Sequence, residues 1–358
     1  MAEDMHGFHV PWWLRHSHVQ TVVPHLDRRR YDVVTEHVRH ELSDGDFADV
    51  YWLGRTRKGP LFILLPGMQG TQDSTYIRSL LSELSRRGLR AAVLCHRGGA
   101  VPNRQAPFYH AGFTDHLAWL VGLIREQEPR TPLYGVGFSL GGSMLIRYLA
   151  ETGHASQFSA AAAVSLTFSL ASTARRACEG INQLYQLRVL GSYKRTARLK
   201  AHLPEFASRV DKLNGLRSIQ EFDALFTAPL HGFKDTDDYY GRCSSRQFLS
   251  RIEVPFLVLN AEDDPLVARD TLPDTRELRA HVRLELTPHG GHLGFMYPRS
   301  SGLGYYPPAR LVSFFLQEQC EAHESLSQDV VGHALLALEA GDARGGLDEH
   351  AGAARPAQ

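Results

Sequence analysis

Between Leu133 and Leu149 the chain changes its hydrophobic rhythm within five residues. Leu133 to Val136 is a short, unbroken apolar run, the pattern of a strand covered on both faces of a parallel sheet. Gly142, Met144, Leu145, Tyr148 and Leu149 then continue as a helix with one apolar side. The joint between the two is Gly137-Phe138-Ser139-Leu140-Gly141. A strand that turns straight into a helix leaves room only for small residues two places before and two places after its corner, and glycine stands at both. Such a corner lifts a serine hydroxyl off the end of a strand. A serine hydroxyl is a weak nucleophile at neutral pH, so the same feature calls for a base and an orienting acid on neighbouring loops.

The surrounding sequence supplies a sheet of that kind. Tyr31 to Arg39 and Phe47 to Leu53 alternate apolar with polar residues about the turn Ser43-Asp44-Gly45-Asp46, which predicts an antiparallel start. Strand and helix then take turns. The pairs are Leu61 to Leu65 with Ser74 to Arg87, Ala91 to Cys95 with Phe113 to Glu126, and Leu133 to Val136 with Leu140 to Glu151. Ile77, Leu80, Leu81 and Leu84 form one stripe on the first of these helices, and Gly88 ends it. A strand from Ala161 to Leu166 follows. Alternation then stops, and from Ser169 to Arg251 the text reads as helices and loops rich in Arg, Lys and aromatic residues. It resumes with strand Phe256 to Leu259, helix Asp270 to Leu278, strand Arg283 to Leu286 and a last helix from Ala309 to Gln319. The expected class is α/β, a mostly parallel central sheet with helices on both faces and an inserted helical cap. The expected divisions are an N-terminal extension at 1–30, a core at 31–168 and 252–322, a cap at 169–251, and a partly disordered tail at 323–358 with one helix at Val330 to Leu338.

Charge and cysteine usage narrow the function classes. Lys+Arg and Asp+Glu both number 39, so the chain as a whole has no electrostatic pull toward nucleic acid or an anionic surface. Cys95, Cys178, Cys243 and Cys320 are far apart and form no Cys-x-x-Cys pair, which reads as reduced thiols in a reducing compartment. The acidic opening Met1-Ala2-Glu3-Asp4 is unlike a secretory leader, and no apolar run approaches the roughly 20 residues that span a bilayer. The expectation is a cytoplasmic protein with no integral membrane segment, for which transient contact with lipid is the one membrane option. The 19 histidines show no ligand spacing backed by carboxylates or thiols, so neither a metal nor another cofactor is expected.

Two loops after later strands carry the acid and base candidates. Asn260-Ala261-Glu262-Asp263-Asp264-Pro265 follows strand Phe256 to Leu259, with Asp264 as the first choice and Asp263 and Glu262 behind it. Thr287-Pro288-His289-Gly290-Gly291-His292 follows strand Arg283 to Leu286, with His292 preferred to His289 because two glycines give its loop the reach to Ser139. Developing negative charge on a substrate oxygen needs two backbone N–H donors. Leu140, first in the helix after the serine, offers one. Met68, in the turn Leu65-Pro66-Gly67-Met68-Gln69-Gly70 after the first parallel strand, offers the other. Arg97 is read as a loop-holding ion pair, Tyr239 and Tyr240 as cap packing, and Cys95 as a strand-end thiol without a corner to present it.

With those residues in hand, the chain resembles the YheT-like branch of the α/β-hydrolases, which includes plant embryogenesis-associated and mammalian ABHD-type lipid esterases. The resemblance runs to about residue 320. It is carried by Pro11-Trp12-Trp13-Leu14, His18-Val19-Gln20-Thr21, Leu65-Pro66-Gly67, Arg97-Gly98, Tyr109-His110-Ala111-Gly112 and the serine corner with Gly142. In the cap it is carried by Glu221-Phe222-Asp223, Thr227-Ala228-Pro229, Gly232-Phe233 and Asp238-Tyr239-Tyr240, and finally by the two loops above. The sequence departs from that branch at Cys95-His96, where Asn is commoner, and at Ala111, where Ser is usual. The resemblance implies the α/β-hydrolase fold and a triad of Ser139, Asp264 and His292, which decides between the paired candidates. It also implies a serine esterase working through an acyl-enzyme on small-molecule esters with medium-length or lipid-like acyl chains. An acyltransferase using the same triad, or a non-catalytic binding protein on the same scaffold, are the competing expectations.

Overall fold

A computed structural model describes residues 8–26, 31–99, 101–300 and 302–321. The tail at 323–358 and its expected helix at Val330 to Leu338 lie outside the described residues. Met1–Val312 form one compact unit and Ser313–Gln358 a second, in which residues 313–321 are helical.

The first unit is built on a sheet of eight strands, β1 (Glu36–Glu41), β2 (Phe47–Leu53), β3 (Leu61–Leu65), β4 (Arg90–Leu94), β5 (Leu133–Phe138), β6 (Phe158–Val164), β7 (Phe256–Ala261) and β8 (Val282–Thr287). Their spatial order is β1-β2-β4-β3-β5-β6-β7-β8. β2 runs antiparallel to both its neighbours, and all pairs from β4 to β8 are parallel. Helix α1 (Ser17–Leu26) precedes the sheet, and α2 (Thr75–Arg86), α3 (Asp115–Gln127) and α4 (Leu140–Thr152) connect its parallel strands. Between β3 and β4 the chain steps one way across the sheet, and from β4 to β5 and on to β6 it steps the other. Right-handed crossovers therefore put α2 on one face and α3 with α4 on the opposite face, and α3 does contact α4.

Burial follows the sequence pattern. β3, β4 and β5 are buried along their whole lengths, as the unbroken apolar runs predict. Ile77, Leu80, Leu81 and Leu84, the predicted stripe of α2, are all buried. In β6 the small side chains of Ala160 to Ala163 let α4 lie close, with Ala163 directly beneath Gly142. Between β6 and β7 there is no strand; α5 (Leu170–Ala177), α6 (Asn182–Leu199) and shorter turns fill the interval. Their aromatic residues, among them Tyr193, Phe206, Phe222 and Phe226, form a second hydrophobic cluster separate from the one around the sheet.

Three expectations change. The strand expected from Tyr31 begins at Glu36. The helix expected over Asp270 to Leu278 is absent, replaced by 3-10 turns at Arg269–Thr271 and Thr275–Glu277. Pro273 is the reason: its ring bars Leu272 from helical geometry, and Leu272 is extended at φ −60, ψ 136. The third change is an unforeseen hairpin of β9 (Met296–Arg299) and β10 (Gly302–Tyr305), directly after the loop that carries His292.

Candidate active site

Every candidate residue stands at the carboxyl end of a parallel strand, where loops of such sheets converge. Ser139 follows β5 and begins α4 with φ 51, ψ −119, a left-handed backbone that costs a non-glycine residue on the order of 1–3 kcal/mol. The corner is as tight as its sequence implies. A Cβ on Gly137 would lie 2.5 Å from the Gly142 Cα, and one on Gly141 would lie 2.3 Å from the Pro66 carbonyl oxygen. Any side chain at Gly141 would thus push the helix away from the turn after β3.

The acid and base loops come together over the serine. His292 Nε2 is 2.9 Å from Ser139 Oγ, and His292 Nδ1 is 2.8 Å from Asp264 Oδ2. Asp264 is buried and its second oxygen accepts the Leu266 amide at 2.8 Å. A carboxylate has no proton to give, so Nδ1 carries the hydrogen toward Asp264 and Nε2 is left to accept from the serine hydroxyl. The other candidates are turned elsewhere. Glu262 pairs with Arg269, and Asp263 Oδ1 accepts the Gly291 amide at 2.9 Å. His289 Nδ1 lies 3.5 Å from Asp263 Oδ2 and makes no hydrogen bond to Ser139. Burial pushes the Asp263 carboxyl above its usual range, against the opposing pull of the Gly291 amide and His289.

The base loop is held by the start of the chain. The His292 amide donates to Thr21 Oγ1 at 3.0 Å, and the Thr21 hydroxyl in turn donates to the Ser17 carbonyl at 2.8 Å. Gln20 is fully buried and pairs with Met296 as a strand would: Met296 N–H donates to its Oε1 at 2.7 Å, and its Nε2 donates to the Met296 carbonyl at 3.0 Å. A Cβ on Gly294 would meet the Gln20 carbonyl oxygen at 2.3 Å, so the loop needs glycine to lie flush on α1. On the other side, Leu293 N–H donates to Ser165 Oγ at 2.9 Å. Sequence reading named the His18–Thr21 segment but gave Thr21 no role; its contact with His292 spans 271 positions.

The turn after β3 is held by side-chain oxygens. Gly67 N–H donates to the Tyr76 hydroxyl at 3.0 Å, and Gln69 N–H donates to the Tyr109 hydroxyl at 2.9 Å. His96 stacks on Tyr109 with ring centroids 4.9 Å apart and sits 2.6 Å from the Pro66 carbonyl through Nε2. Burial lowers the His96 pKa to about 4, so the ring is neutral and Nε2–H is the donor. Register sets β3 directly beside β5, pairing Leu65 with Gly137. Among the described residues, neither the Met68 nor the Leu140 amide donates to another group. Leu140 follows Ser139 in the chain, and the turn that carries Met68 approaches the serine at Gly67, where a Cβ would lie 3.3 Å from the Ser139 Cβ.

Helix α6 reaches the turn after β3, the acid loop and α1. Ser192 Oγ donates to Gln69 Oε1 at 2.6 Å, Asn182 Nδ2 donates to the Pro265 carbonyl at 2.9 Å, and His18 Nδ1 lies 2.9 Å from the Tyr185 hydroxyl. The aromatic cluster beneath α6 includes Leu140 and Met144 and has Met68 against it. Tyr239 and Tyr240 are buried there, the first accepting from the Ala111 amide and the second donating to Asp223. Arg97 is buried in an ion pair with Asp46 and Asp44 and holds its loop. Burial drives the Cys95 thiol up to about 12, which makes it inert as a nucleophile. Among the described residues no helix is long and apolar enough to cross a membrane.

Residues 60–298 match the family model described as alpha/beta hydrolase fold. The chain is 34% identical over 285 residues to "Putative esterase YheT" of Escherichia coli (strain K12), covering 78% of this chain and 84% of that protein. It is 31% identical over 268 residues to "Phospholipase ABHD3" of Homo sapiens, covering 72% of this chain and 64% of that one, so it spans less than two thirds of the human protein. Among solved structures it resembles a membrane phospholipase A described as a bacterial virulence factor, with TM-score 0.53, 15% identity and coverage of 86% of this chain and 93% of that one, a likeness of fold alone.

Proposed function

The chain belongs to the α/β-hydrolase family and is a carboxylic-ester hydrolase, and from that premise we propose that it cleaves its ester through an acyl-enzyme on Ser139. The observation that carries the proposal is the unbroken relay of 2.9 Å from Ser139 Oγ to His292 Nε2 and 2.8 Å from His292 Nδ1 to Asp264 Oδ2. In the first half-reaction Ser139 Oγ attacks the ester carbonyl while His292 Nε2 takes its proton. The carbonyl oxygen becomes an oxyanion facing the Met68 and Leu140 amides. The tetrahedral adduct then collapses: the C–O bond to the alcohol breaks, and His292 returns the proton to the departing oxygen. In the second half-reaction water replaces the alcohol: its oxygen bonds the acyl carbon as His292 takes its proton, the bond to Ser139 Oγ breaks, His292 returns the proton to Oγ, and the carboxylic acid leaves. Asp264 stays ionised throughout and stabilises the imidazolium without receiving its proton.

Residues 169–251 act in this reading as a cap over the site, tied to its loops through Gln69 and Pro265. The apolar cluster that runs from Leu140 and Met68 into the cap favours an acyl chain of medium or lipid-like length. The widely spaced free thiols favour a cytoplasmic setting. Labelling with a fluorophosphonate probe tests the nucleophile: the wild type is expected to label and Ser139→Ala to stay blank, and labelling that survives the substitution sinks the proposal. A p-nitrophenyl ester series of rising acyl length tests the pocket; turnover is expected to climb from acetate toward medium chains, and a flat series removes the acyl preference.

A further inference from the structure

Helix α6 has the wrong outer face for a helix that looks only at water. Asn182, Gln186, Leu190, Tyr193 and Ala197 recur every three or four residues and face inward. On the other side Leu184 and Leu187 are 65% and 55% exposed, with Ile181 just before the helix at 49%. A single exposed leucine is ordinary, but three large aliphatics within two turns are not. Trp12 and Trp13, 81% and 50% exposed, stand on the 3-10 turn ahead of α1. Gln20 Nε2 holds that turn against α1 by donating to the Leu14 carbonyl at 3.1 Å, and the His18–Tyr185 contact holds α1 against α6.

Charge around these residues is one-sided. From Leu170 to Leu203 the basic residues are Arg175, Arg176, Arg188, Lys194, Arg195, Arg198 and Lys200, and the acidic one is Glu179. Arg188, Arg195 and Arg198 are exposed on the outward side of α6. Between Phe8 and Leu26 there is no acid, while Arg15 lies beside the two tryptophans. In a chain whose Lys+Arg and Asp+Glu balance at 39 each, this concentration is local. Outward Leu and Trp interleaved with Arg, with Glu179 the one acid among them, match a surface that sinks its apolar side chains into a bilayer boundary while guanidinium groups meet anionic headgroups.

We propose that Trp12, Trp13 and the outer face of α6 form a docking surface for a lipid bilayer bearing anionic headgroups. Because α6 is tied to Gln69 and Pro265, a bilayer seated there would lie against the helix that touches the turn after β3 and the acid loop, near where the proposed acyl-enzyme forms. Docking itself stands independently of the acyl-enzyme reading, and the experiment keeps the two apart. Full-length Ser139→Ala is floated with vesicles of phosphatidylcholine alone and of phosphatidylcholine mixed with phosphatidylglycerol. Flotation with the mixed vesicles is expected to exceed that with phosphatidylcholine and to weaken as salt is raised. Leu184→Gln with Leu187→Gln is expected to lower vesicle affinity tenfold or more. Arg188→Glu with Arg195→Glu is expected to erase the preference for phosphatidylglycerol. All of these substitutions, placed in the otherwise wild-type chain, are expected to leave hydrolysis of a water-soluble p-nitrophenyl ester unchanged. Absence of flotation with either vesicle, or undiminished flotation of the leucine variant, overturns the proposal. So does a wild type that sediments as a dimer and becomes monomeric in the leucine variant, which would make the face a contact between copies.

Discussion

The two walls of the candidate site are held in place by different means. The base loop, 290–296, lies flush on α1: glycine gives it close approach, and backbone amides are met by Thr21, Ser165 and the Gln20 side chain. The turn after β3, 65–70, touches α4 at Gly141 and is otherwise tied down by tyrosine hydroxyls and one neutral histidine. The difference follows from what each wall must do. His292 has to hold an imidazole at hydrogen-bond distance from two partners at once, which rewards a loop pressed onto a rigid helix. In the proposed mechanism the turn keeps the Met68 amide free for a substrate oxygen, and its other polar groups are gripped from behind.

Four substitutions press on that contrast. The largest effect is expected at the acid: Asp264→Asn should lower kcat on the order of 10⁴-fold, because an amide no longer favours the reactive imidazole tautomer. Asp263→Asn, one residue away, should cost less than tenfold, and steady-state kinetics on both variants would refute the assignment if the order reversed. Next comes Thr21→Val, which leaves the His292 amide without its acceptor at a cost of about 1–3 kcal/mol. If that cost falls on the position of the base, kcat drops roughly 10- to 100-fold with KM little changed; a drop in melting temperature with unaltered kcat would make Thr21 a fold residue only. On the opposite wall Tyr109→Phe removes the acceptor for Gln69 and should lower kcat/KM by about tenfold. Fluorophosphonate labelling should slow in parallel, and an unchanged labelling rate would show that the turn holds without it.

The smallest expected effect concerns pH. The folded His96 pKa, near 4, lies below the usual value of 6.5. A depressed histidine contributes stability that is present above its unfolded pKa and is lost as pH falls from about 6.5 toward 4. His96→Gln keeps an N–H donor and removes that titration. Urea midpoints measured at pH 7 and pH 5 should therefore differ less in the variant than in the wild type, and equal differences would remove His96 from the acid response.

What was readable in advance divides along the same line. The strands showed themselves because burial on both faces demands unbroken apolar runs, and the serine corner because sterics demand glycine at two fixed places. Leu272 shows where periodicity misled: its spacing suited a helix, but Pro273 forbade one. The loops bearing Asp264 and His292 were visible from their chemistry and their place after strands. The supports of the base loop and of the turn after β3 were not. Thr21, Tyr76, Tyr109 and Ser165 are ordinary residue types at distant positions, and only the folded sheet brings them to the loops they serve.

Gln20 and Thr21 also set an order of events during synthesis. Their partners Met296 and His292 are made more than 270 positions later. At about 5–20 residues per second, that gap corresponds to roughly 15–50 seconds during which α1 has no base loop to brace. The β3–β6 core can assemble in that interval, but the contacts among Ser139, Asp264 and His292 form only after residue 292 has been made. Topology alone thus keeps His292 from Ser139 until late in synthesis, and the loop that closes the gap docks on a helix made long before it.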